Sequence, residues 1–218
     1  MQVKVVTNVL RANEDMASKN RTLFNNKGLR VINLISSPGA GKTTLLETTI
    51  RNLKDKVALG VIEGDLMTAR DAERIARLEV PVVQINTRGG CHLDANMVNK
   101  AWNEFPPETP LELLVIENVG NLVCPAAFDL GEDEKVVIIS VTEGSDKPAK
   151  YPTTFERASL CLLNKIDLLA HTNFNLQEFY QDLQKIKPHL PVIEVSALTG
   201  QGMESWYDWL VKRNGTAS

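Results

Sequence analysis

The segment LISSPGAGKTTLL, from Leu34 to Leu46, constrains the fold of this chain more than any other stretch. An apolar run leads into a glycine-rich turn and then a helix-favouring segment, which is the layout of a phosphate-binding loop. Gly39 and Gly41 let backbone N–H groups turn toward an anion, and the helix that begins near Lys42 adds the positive end of its dipole. We expect Lys42 to reach the β- and γ-phosphates of a nucleotide and the Thr43 hydroxyl to ligate Mg²⁺.

One position departs from the usual pattern G-x-x-x-x-G-K-[ST], because Ser36 replaces the first glycine. The alternative interpretation is a chance glycine turn before an ordinary helix. A buried strand before the turn and a helix after it favour a nucleoside triphosphate site instead. The residues that we expect to cradle the nucleotide are Gly39, Ala40, Gly41, Lys42, Thr43 and Thr44.

Length and charge exclude several classes of protein. The 218 residues suffice for one sizeable α/β core but are too few for two full domains. With 24 basic and 27 acidic residues and no block of like charge, the chain is not a generic binder of nucleic acid or anionic membranes. It contains neither an apolar run of membrane-spanning length nor the apolar core of a signal peptide, so we expect a cytoplasmic protein.

Apolar runs alternate with helical stretches from Val31 onward, which predicts an α/β fold with a mostly parallel, doubly wound sheet. Residues 8–27 form a mildly amphipathic pattern that ends at Gly28. We therefore divide the chain into an N-terminal helical arm, 1–28, and a P-loop GTPase domain, 29–218, and expect the arm to dock on the domain rather than contact a partner. The predicted strands are 31–35, 57–63, 81–85, 111–117, 135–142, 159–164 and 191–196. The predicted helices of the domain are 43–54, 70–79, 93–104, 151–156, 175–187 and 201–213.

Two motifs that follow predicted strands select guanine. In the sequence NKID, Asp167 can accept hydrogen bonds from guanine N1–H and its 2-amino group, a donor pair that adenine lacks. Asn164 can bridge the base and a loop, and the Lys165 stem can lie along the base plane. A solvated turn is the alternative for this motif alone. The later segment Ser196-Ala197-Leu198 can place a backbone N–H on guanine O6, so we expect GTP rather than ATP.

Carboxylates after two further strands indicate a magnesium site and a nucleotide switch. Glu117 opens the segment ENVG, where a carboxylate can hold Mg²⁺ and the Gly120 N–H can sense the γ-phosphate. Asp65 is a second candidate for the magnesium shell or for positioning the attacking water. The residues expected to carry hydrolysis are therefore Lys42, Asp65, Glu117 and Gly120, with Thr43, Asp65 and Glu117 around Mg²⁺. No arginine finger or catalytic glutamine is evident, so we expect slow intrinsic hydrolysis.

Cys91, His92 and Cys124 do not belong to an ordinary GTPase pattern. Thiolates and an imidazole suit Zn²⁺ or Ni²⁺, and the preceding glycines let adjacent side chains converge. The alternative is that both cysteines are small buried residues and that His92 caps a helix; the spacing leaves both readings open. Three ligands are one short of a tetrahedral shell, so water or a second chain would complete it. Cys161 lies inside an apolar strand and is expected in the core.

Taken together, the motifs SSPGAGKTTLLE, EGD, GGCHLD, ENVGNLVCPAAFDLGE, TEGSDKPAKYP, NKID and VSALTGQGMESWYDWL resemble the HypB family of hydrogenase nickel-incorporation GTPases. The resemblance runs from about Asn13 to Trp209, and the family tolerates serine at Ser36. It implies a P-loop GTPase of the SIMIBI class that forms a homodimer with GTP and helps insert nickel into [NiFe]-hydrogenase. Cys91, His92 and Cys124 would form a metal site shared at the dimer interface, and Lys150 would reach the partner chain's nucleotide.

The implied partners are the metallochaperone HypA, in some bacteria the prolyl isomerase SlyD, and the precursor of the hydrogenase large subunit. Two other functions compete with nickel delivery to hydrogenase. One is a related G-protein chaperone for urease or for cobalamin-dependent mutases; a urease-type relative would show Cys-Pro-His, whereas Cys124-Pro125 is followed here by Ala126. The other is a scaffold with a structural zinc site, which would hold its metal irrespective of the nucleotide.

Overall fold

The computed structural model describes residues 8–65 and 70–212. The first residues of the predicted arm, 1–7, and the last residues of the predicted domain, 213–218, lie outside the described part, as do residues 66–69. Helix α1 spans Asn8–Asn26, close to the predicted 8–27. It ends at Gly28, whose φ of 64° lies in the left-handed region and whose N–H donates to the Asn25 carbonyl.

The described residues form one sheet of seven parallel strands in the order β3-β2-β4-β1-β5-β6-β7. This confirms the predicted α/β class, and each predicted strand has an observed counterpart. The strands are β1 Arg30–Ser36, β2 Leu59–Asp65, β3 Val82–Asn86, β4 Leu113–Glu117, β5 Glu134–Ser140, β6 Leu160–Asn164 and β7 Val192–Glu194.

Helices connect consecutive strands, and six of them match predicted segments. They are α2 Lys42–Leu53, α3 Arg70–Ala76, α4 Ala95–Trp102, α7 Pro152–Arg157, α8 Leu176–Ile186 and α9 Met203–Val211. The sequence analysis did not predict two helices of four residues, α5 Cys124–Ala127 and α6 Lys147–Lys150, because a single turn shows no helical periodicity. A 3₁₀ helix follows β6 at Ile166–His171.

The sheet is buried on both faces, as near-continuous apolar strands require. In β1, Ile32 and Leu34 face α2 and α9, whereas Val31 and Ile35 belong to the core on the other face. The Trp206 indole N–H donates to Thr49 Oγ1 at 2.9 Å, which fixes α9 against α2. The central strands are therefore enclosed by helices on both faces, and the loops at their carboxyl ends meet at one edge of the sheet.

Helix α1 packs on the domain through buried amides. Asn20 Nδ2 donates to the carbonyl oxygens of Ala95 and Leu130, at 2.8 and 2.9 Å, although these residues belong to different segments. Arg21 adds a bidentate ion pair with Asp129 at 2.8 Å. Through these bonds α1 joins the start of α4 to the loop before β5. None of the helices in the described part of the chain is long and apolar enough to cross a membrane.

Candidate nucleotide and metal site

Two glycines shape the loop between β1 and α2. Gly39 and Gly41 have φ values of 78° and 95°, in the region that side chains rarely adopt. A Cβ atom on Gly41 would also lie 2.6 Å from Asn164 Nδ2. Gly41 is thus required both by its backbone conformation and by the close approach of the residue expected to border the base.

Ser36, the position that departs from the usual loop pattern, holds the loop lysine. Lys42 Nζ, at the start of α2, lies 3.0 Å from Ser36 Oγ, at the end of β1, and both residues are buried. A serine side chain therefore fits where the pattern has glycine, and it gives the ammonium group a neutral oxygen as partner.

Glu117 lies beside the loop and has an unused oxygen. Thr43 Oγ1 donates to Glu117 Oε1 at 2.8 Å, while Glu117 Oε2 is buried without a hydrogen-bond partner among the described residues. Glu63 Oε2 is likewise buried without a hydrogen-bond partner among the described residues. Glu63 lies opposite Glu117 in the register of β2 and β4. Burial raises the pKa of Glu63 to about 8, with a further contribution from the Glu117 charge. Burial also raises the pKa of Glu117, against the opposing charge of Lys42.

Two buried carboxylates with unused oxygens, next to a threonine hydroxyl, fit a hard divalent cation. Thr43, Asp65 and Glu117, which the sequence predicts around Mg²⁺, line one cleft, and Glu63 lines it with them. The sequence analysis named Glu63 only as part of a strand end. A charged residue inside an apolar strand two positions before Asp65 is the signal that could have identified it.

The cleft around these groups has a volume of about 480 Å³ and includes Arg74 from α3. Arg74 Nε and Nη2 donate to Glu47, at 3.1 and 2.7 Å, and Nη1 donates to Asp71 at 3.0 Å. The sequence analysis found no arginine for the site, since one arginine in an amphipathic helix carries no motif. Gly120 closes the cleft on the opposite side, where its backbone packs on Pro38: a Cβ there would lie 3.2 Å from two Pro38 carbons.

The two guanine-type motifs meet at Asn164. Its Nδ2 donates to the Ala40 carbonyl at 2.9 Å, and its Oδ1 accepts from the Ala197 N–H at 3.1 Å. Lys165, which has a left-handed φ of 62°, donates from Nζ to the Gly39 carbonyl at 2.7 Å. Asp167 follows, half-buried, in the 3₁₀ helix. Ser196 is buried and Leu198 is 81% exposed.

Lys150 lies away from the cleft of its own chain. It forms an ion pair with Asp146 at 2.6 Å at the end of α6, and its side chain is 60% exposed. Such a position leaves the ammonium group available to another molecule.

Cys91, His92 and Cys124 converge, as the family resemblance implies, whereas their spacing alone left this open. One ligand atom from each lies within 4.8 Å of the other two, and Cys91 Sγ is 3.5 Å from His92 Nδ1. The left-handed Gly89, with a φ of 93°, turns the chain just before them. Cys91 is exposed and Cys124 is half-buried, so neither is a small core residue, unlike Cys161, which is fully buried as expected.

The cluster presents its groups in a form that suits a soft cation. Burial lowers the pKa of His92, which favours the neutral imidazole that ligates metals. The hydrogen bond with Cys124 raises the pKa of the Cys91 thiol. The Phe128 ring stacks on His92 with its centroid at 3.8 Å and so fixes the plane of the imidazole.

Comparison with known proteins finds a family domain over most of the chain. The nucleotide-binding domain described as CobW/HypB/UreG matches residues 30–194. The chain is 51% identical to the hydrogenase maturation factor HypB of Rhizobium leguminosarum bv. viciae over 95% of its own length and 69% of that protein.

Two solved structures have the same fold. HypB from Helicobacter pylori in complex with nickel superposes with a TM-score of 0.87 and 39% identity, covering 91% of this chain and 93% of that one. The hydrogenase maturation factor HypB of Archaeoglobus fulgidus superposes with a TM-score of 0.85 and 38% identity, covering 92% and 98%.

Proposed function

Since the chain belongs to the HypB family of hydrogenase maturation factors, we propose that it is a GTP-hydrolysing metallochaperone that couples a GTP-dependent dimer switch to nickel delivery during [NiFe]-hydrogenase maturation. The observation that carries the proposal is the convergence of Cys91, His92 and Cys124 beside the nucleotide switch. Cys124 lies four residues beyond Gly120, so a cation held by these side chains lies close to the nucleotide-sensing loop.

The reaction is hydrolysis of GTP to GDP and phosphate. Lys42 and the N–H groups of the loop before α2 bind the phosphates, and Gly120 senses the γ-phosphate. Mg²⁺, when bound, neutralises charge that develops on the phosphate oxygens. Asp65, at the end of β2, orients the attacking water. Asn164, Lys165, Asp167 and the segment 196–198 select guanine.

The donor set supports delivery rather than storage of the metal. Two sulfur atoms and one imidazole bind Ni²⁺ and Zn²⁺ alike, and three ligands leave a position through which the cation can pass to another protein. We infer that nickel is the cargo because a HypB of the same fold is known in complex with nickel. The chain acts in the cytoplasm with HypA, in some organisms with SlyD, and on the precursor of the hydrogenase large subunit. Within the GTP-bound homodimer, Lys150 reaches the partner chain's nucleotide.

Metal content measured on single variants tests the proposal. We expect Cys91→Ala, His92→Ala and Cys124→Ala each to lower the nickel stoichiometry markedly while GTP binding stays substantial, because the cluster lies outside the cleft. Cys161→Ala is the matched control, since it removes a thiol that is fully buried elsewhere. Unchanged nickel content in all three cluster variants would contradict the assignment of these residues as metal ligands. Zinc held equally in apo, GDP and GTP-analogue states would favour the structural scaffold.

A further inference from the structure

Asn118 joins the metal loop to the nucleotide switch through one oxygen atom. Its Oδ1 accepts hydrogen bonds from the backbone N–H of Leu93, at 3.1 Å, and of Val119, at 3.0 Å. Leu93 directly follows His92, and Val119 directly precedes Gly120. The same carbonyl group therefore holds the backbone next to a metal ligand and the backbone next to the residue that senses the γ-phosphate.

The Asn118 side chain is fixed from behind by a buried polar network. Its Nδ2 donates to Asn33 Oδ1 at 3.2 Å, and Asn33 Nδ2 in turn donates to Glu132 Oε1 at 3.2 Å. Asn118, Asn33 and Glu132 are 1%, 0% and 6% exposed. In a buried environment these bonds are strong, and an unpaired amide group is costly. The oxygen thus keeps its place relative to β1, so a shift of one bound backbone segment is not absorbed by rotation of the amide.

The same network reaches His92 from its other side. Glu132 pairs with Lys135, and Lys135 Nζ donates to the Phe128 carbonyl oxygen at 3.0 Å. The Phe128 ring stacks on the His92 imidazole. Both the backbone and the ring of His92 are therefore positioned by groups connected to Asn118.

The backbone between Gly120 and Cys124 is held by a hydrogen bond at Leu122. Thr154 Oγ1 donates to the Leu122 carbonyl oxygen at 2.6 Å, and Leu122 is 4% exposed. A displacement that begins at Gly120 must move this buried residue before it reaches the Cys124 thiol. On the path through Asn118, only one side-chain oxygen lies between the Val119 N–H and the Leu93 N–H.

We propose that Asn118 is the positioning residue that transmits the nucleotide state to the metal ligands. When the γ-phosphate draws the Gly120 N–H, the Val119 N–H moves relative to Asn118 Oδ1. Because both N–H groups share this fixed oxygen, a weaker bond from Val119 strengthens the bond from Leu93, and the backbone at His92 moves with it. This inference rests on the proposed function, because it explains how nickel affinity depends on the nucleotide.

The quantity that tests it is the ratio of two nickel dissociation constants, one with GDP and one with a non-hydrolysable GTP analogue and Mg²⁺. For the natural chain we expect a ratio of about fivefold or more, as is typical of coupled sites. In Asn118→Ala we expect a ratio near one. Asn118→Asp keeps an acceptor oxygen toward both N–H groups and should recover part of the ratio, which a merely structural role would not predict.

Two matched variants serve as controls. Asn20→Ala removes another fully buried asparagine that bridges neighbouring segments but does not contact the switch, and Thr154→Val releases the anchor on Leu122. Both should keep the ratio of the natural chain. If Asn118→Ala does not fold, Asn33→Ala replaces it in the test. This variant keeps the acceptor oxygen of Asn118 but removes the Asn33 side chain that fixes the amide. A lowered ratio supports the inference.

Different results would contradict the proposed coupling of nickel affinity to the nucleotide and the role of Asn118. A ratio of one in the natural chain would overturn the coupling in the proposed function, and Asn118 would have nothing to transmit. A clear ratio in the natural chain that persists in Asn118→Ala, or that disappears only in Thr154→Val, would overturn the role of Asn118 alone.

Discussion

At the scale of single residues, we propose that Asp167 makes the main contribution to base selection, because two of the Asn164 polar groups already bond to neighbouring loops. The amide of Asn164 donates to the Ala40 carbonyl and accepts from the Ala197 N–H, so its oxygen and one N–H serve to join two loops. Sequence reasoning assigned Asn164 a place between base and loop; the structure shows a bridge between loops. The carboxylate of Asp167 is left as the acceptor for the guanine N1–H and 2-amino groups.

We therefore predict that Asp167→Asn weakens GTP binding by about 100-fold or more. The new amide N–H would face the guanine N1–H and 2-amino donors, where the carboxylate of Asp167 accepts hydrogen bonds. The same change should strengthen binding of xanthosine triphosphate, whose 2-oxo group accepts from the new amide. Competition binding with both nucleotides measures the exchange of preference. Asp182→Asn, on α8 beside Lys185, is the control that removes a carboxylate elsewhere. A variant that still prefers GTP would show that another group reads the base.

Ser36 and Glu63 show which parts of the site a single sequence predicts and which it does not. Ser36 breaks the loop pattern, yet its hydroxyl holds Lys42, so the expected phosphate loop forms despite the departure. Glu63 opens the EGD motif but received no role from the sequence, and only the parallel register of β2 and β4 brings it beside Glu117. Residues brought together by local spacing could be predicted. A group that depends on the order of strands in the sheet could not, because strand order is not a local property of the sequence.

At the scale of elements, α1 is held by a close fit against Gly131. This glycine has a φ of 92°, and a Cβ atom there would lie 2.6 Å from Asn20 Cβ and 2.7 Å from the Ala17 carbonyl oxygen. The periodicity of residues 8–27 predicts the helix, but nothing local predicts its contact with a loop more than 100 positions away. The docking of such a helix depends on the complementary shape of the two surfaces. In the sequence, a glycine that permits this close contact cannot be distinguished from a glycine in an ordinary turn.

Gly131→Ala should therefore destabilise the fold by more than left-handed strain alone. We expect a loss of about 3 kcal/mol in the free energy of unfolding, of which about 1 kcal/mol is backbone strain and the rest is displacement of α1. Gly28→Ala is the matched control, because its φ is also positive, at 64°, and a Cβ there meets nothing within 4 Å. Denaturant unfolding of both variants measures the difference. Equal losses would mean that α1 shifts away without cost.

At the scale of the whole molecule, three exposed side chains are consistent with the proposed contact with a second chain. Cys91 is exposed, Val123 beside Cys124 is 55% exposed although apolar, and the Lys150 side chain is 60% exposed. An apolar side chain next to an incomplete ligand set suits a surface that is covered in one state and open in another. A symmetric dimer would bring two such sets together, since a two-fold axis places the same patch on both sides.

We predict that the chain, of 24.2 kDa, doubles its mass when a non-hydrolysable GTP analogue replaces GDP. The physical reason is that the γ-phosphate repositions the backbone at Gly120 and, through Asn118, the segment that carries His92, and so completes the surface that the second copy contacts. Light scattering measures the mass in apo, GDP and analogue states. Lys42→Ala, which loses the ammonium group expected at the phosphates, should stay monomeric with the analogue. A constant mass in all three states of the natural chain would contradict the dimer switch. The metal ligands would then have to act within one copy, with water completing the shell.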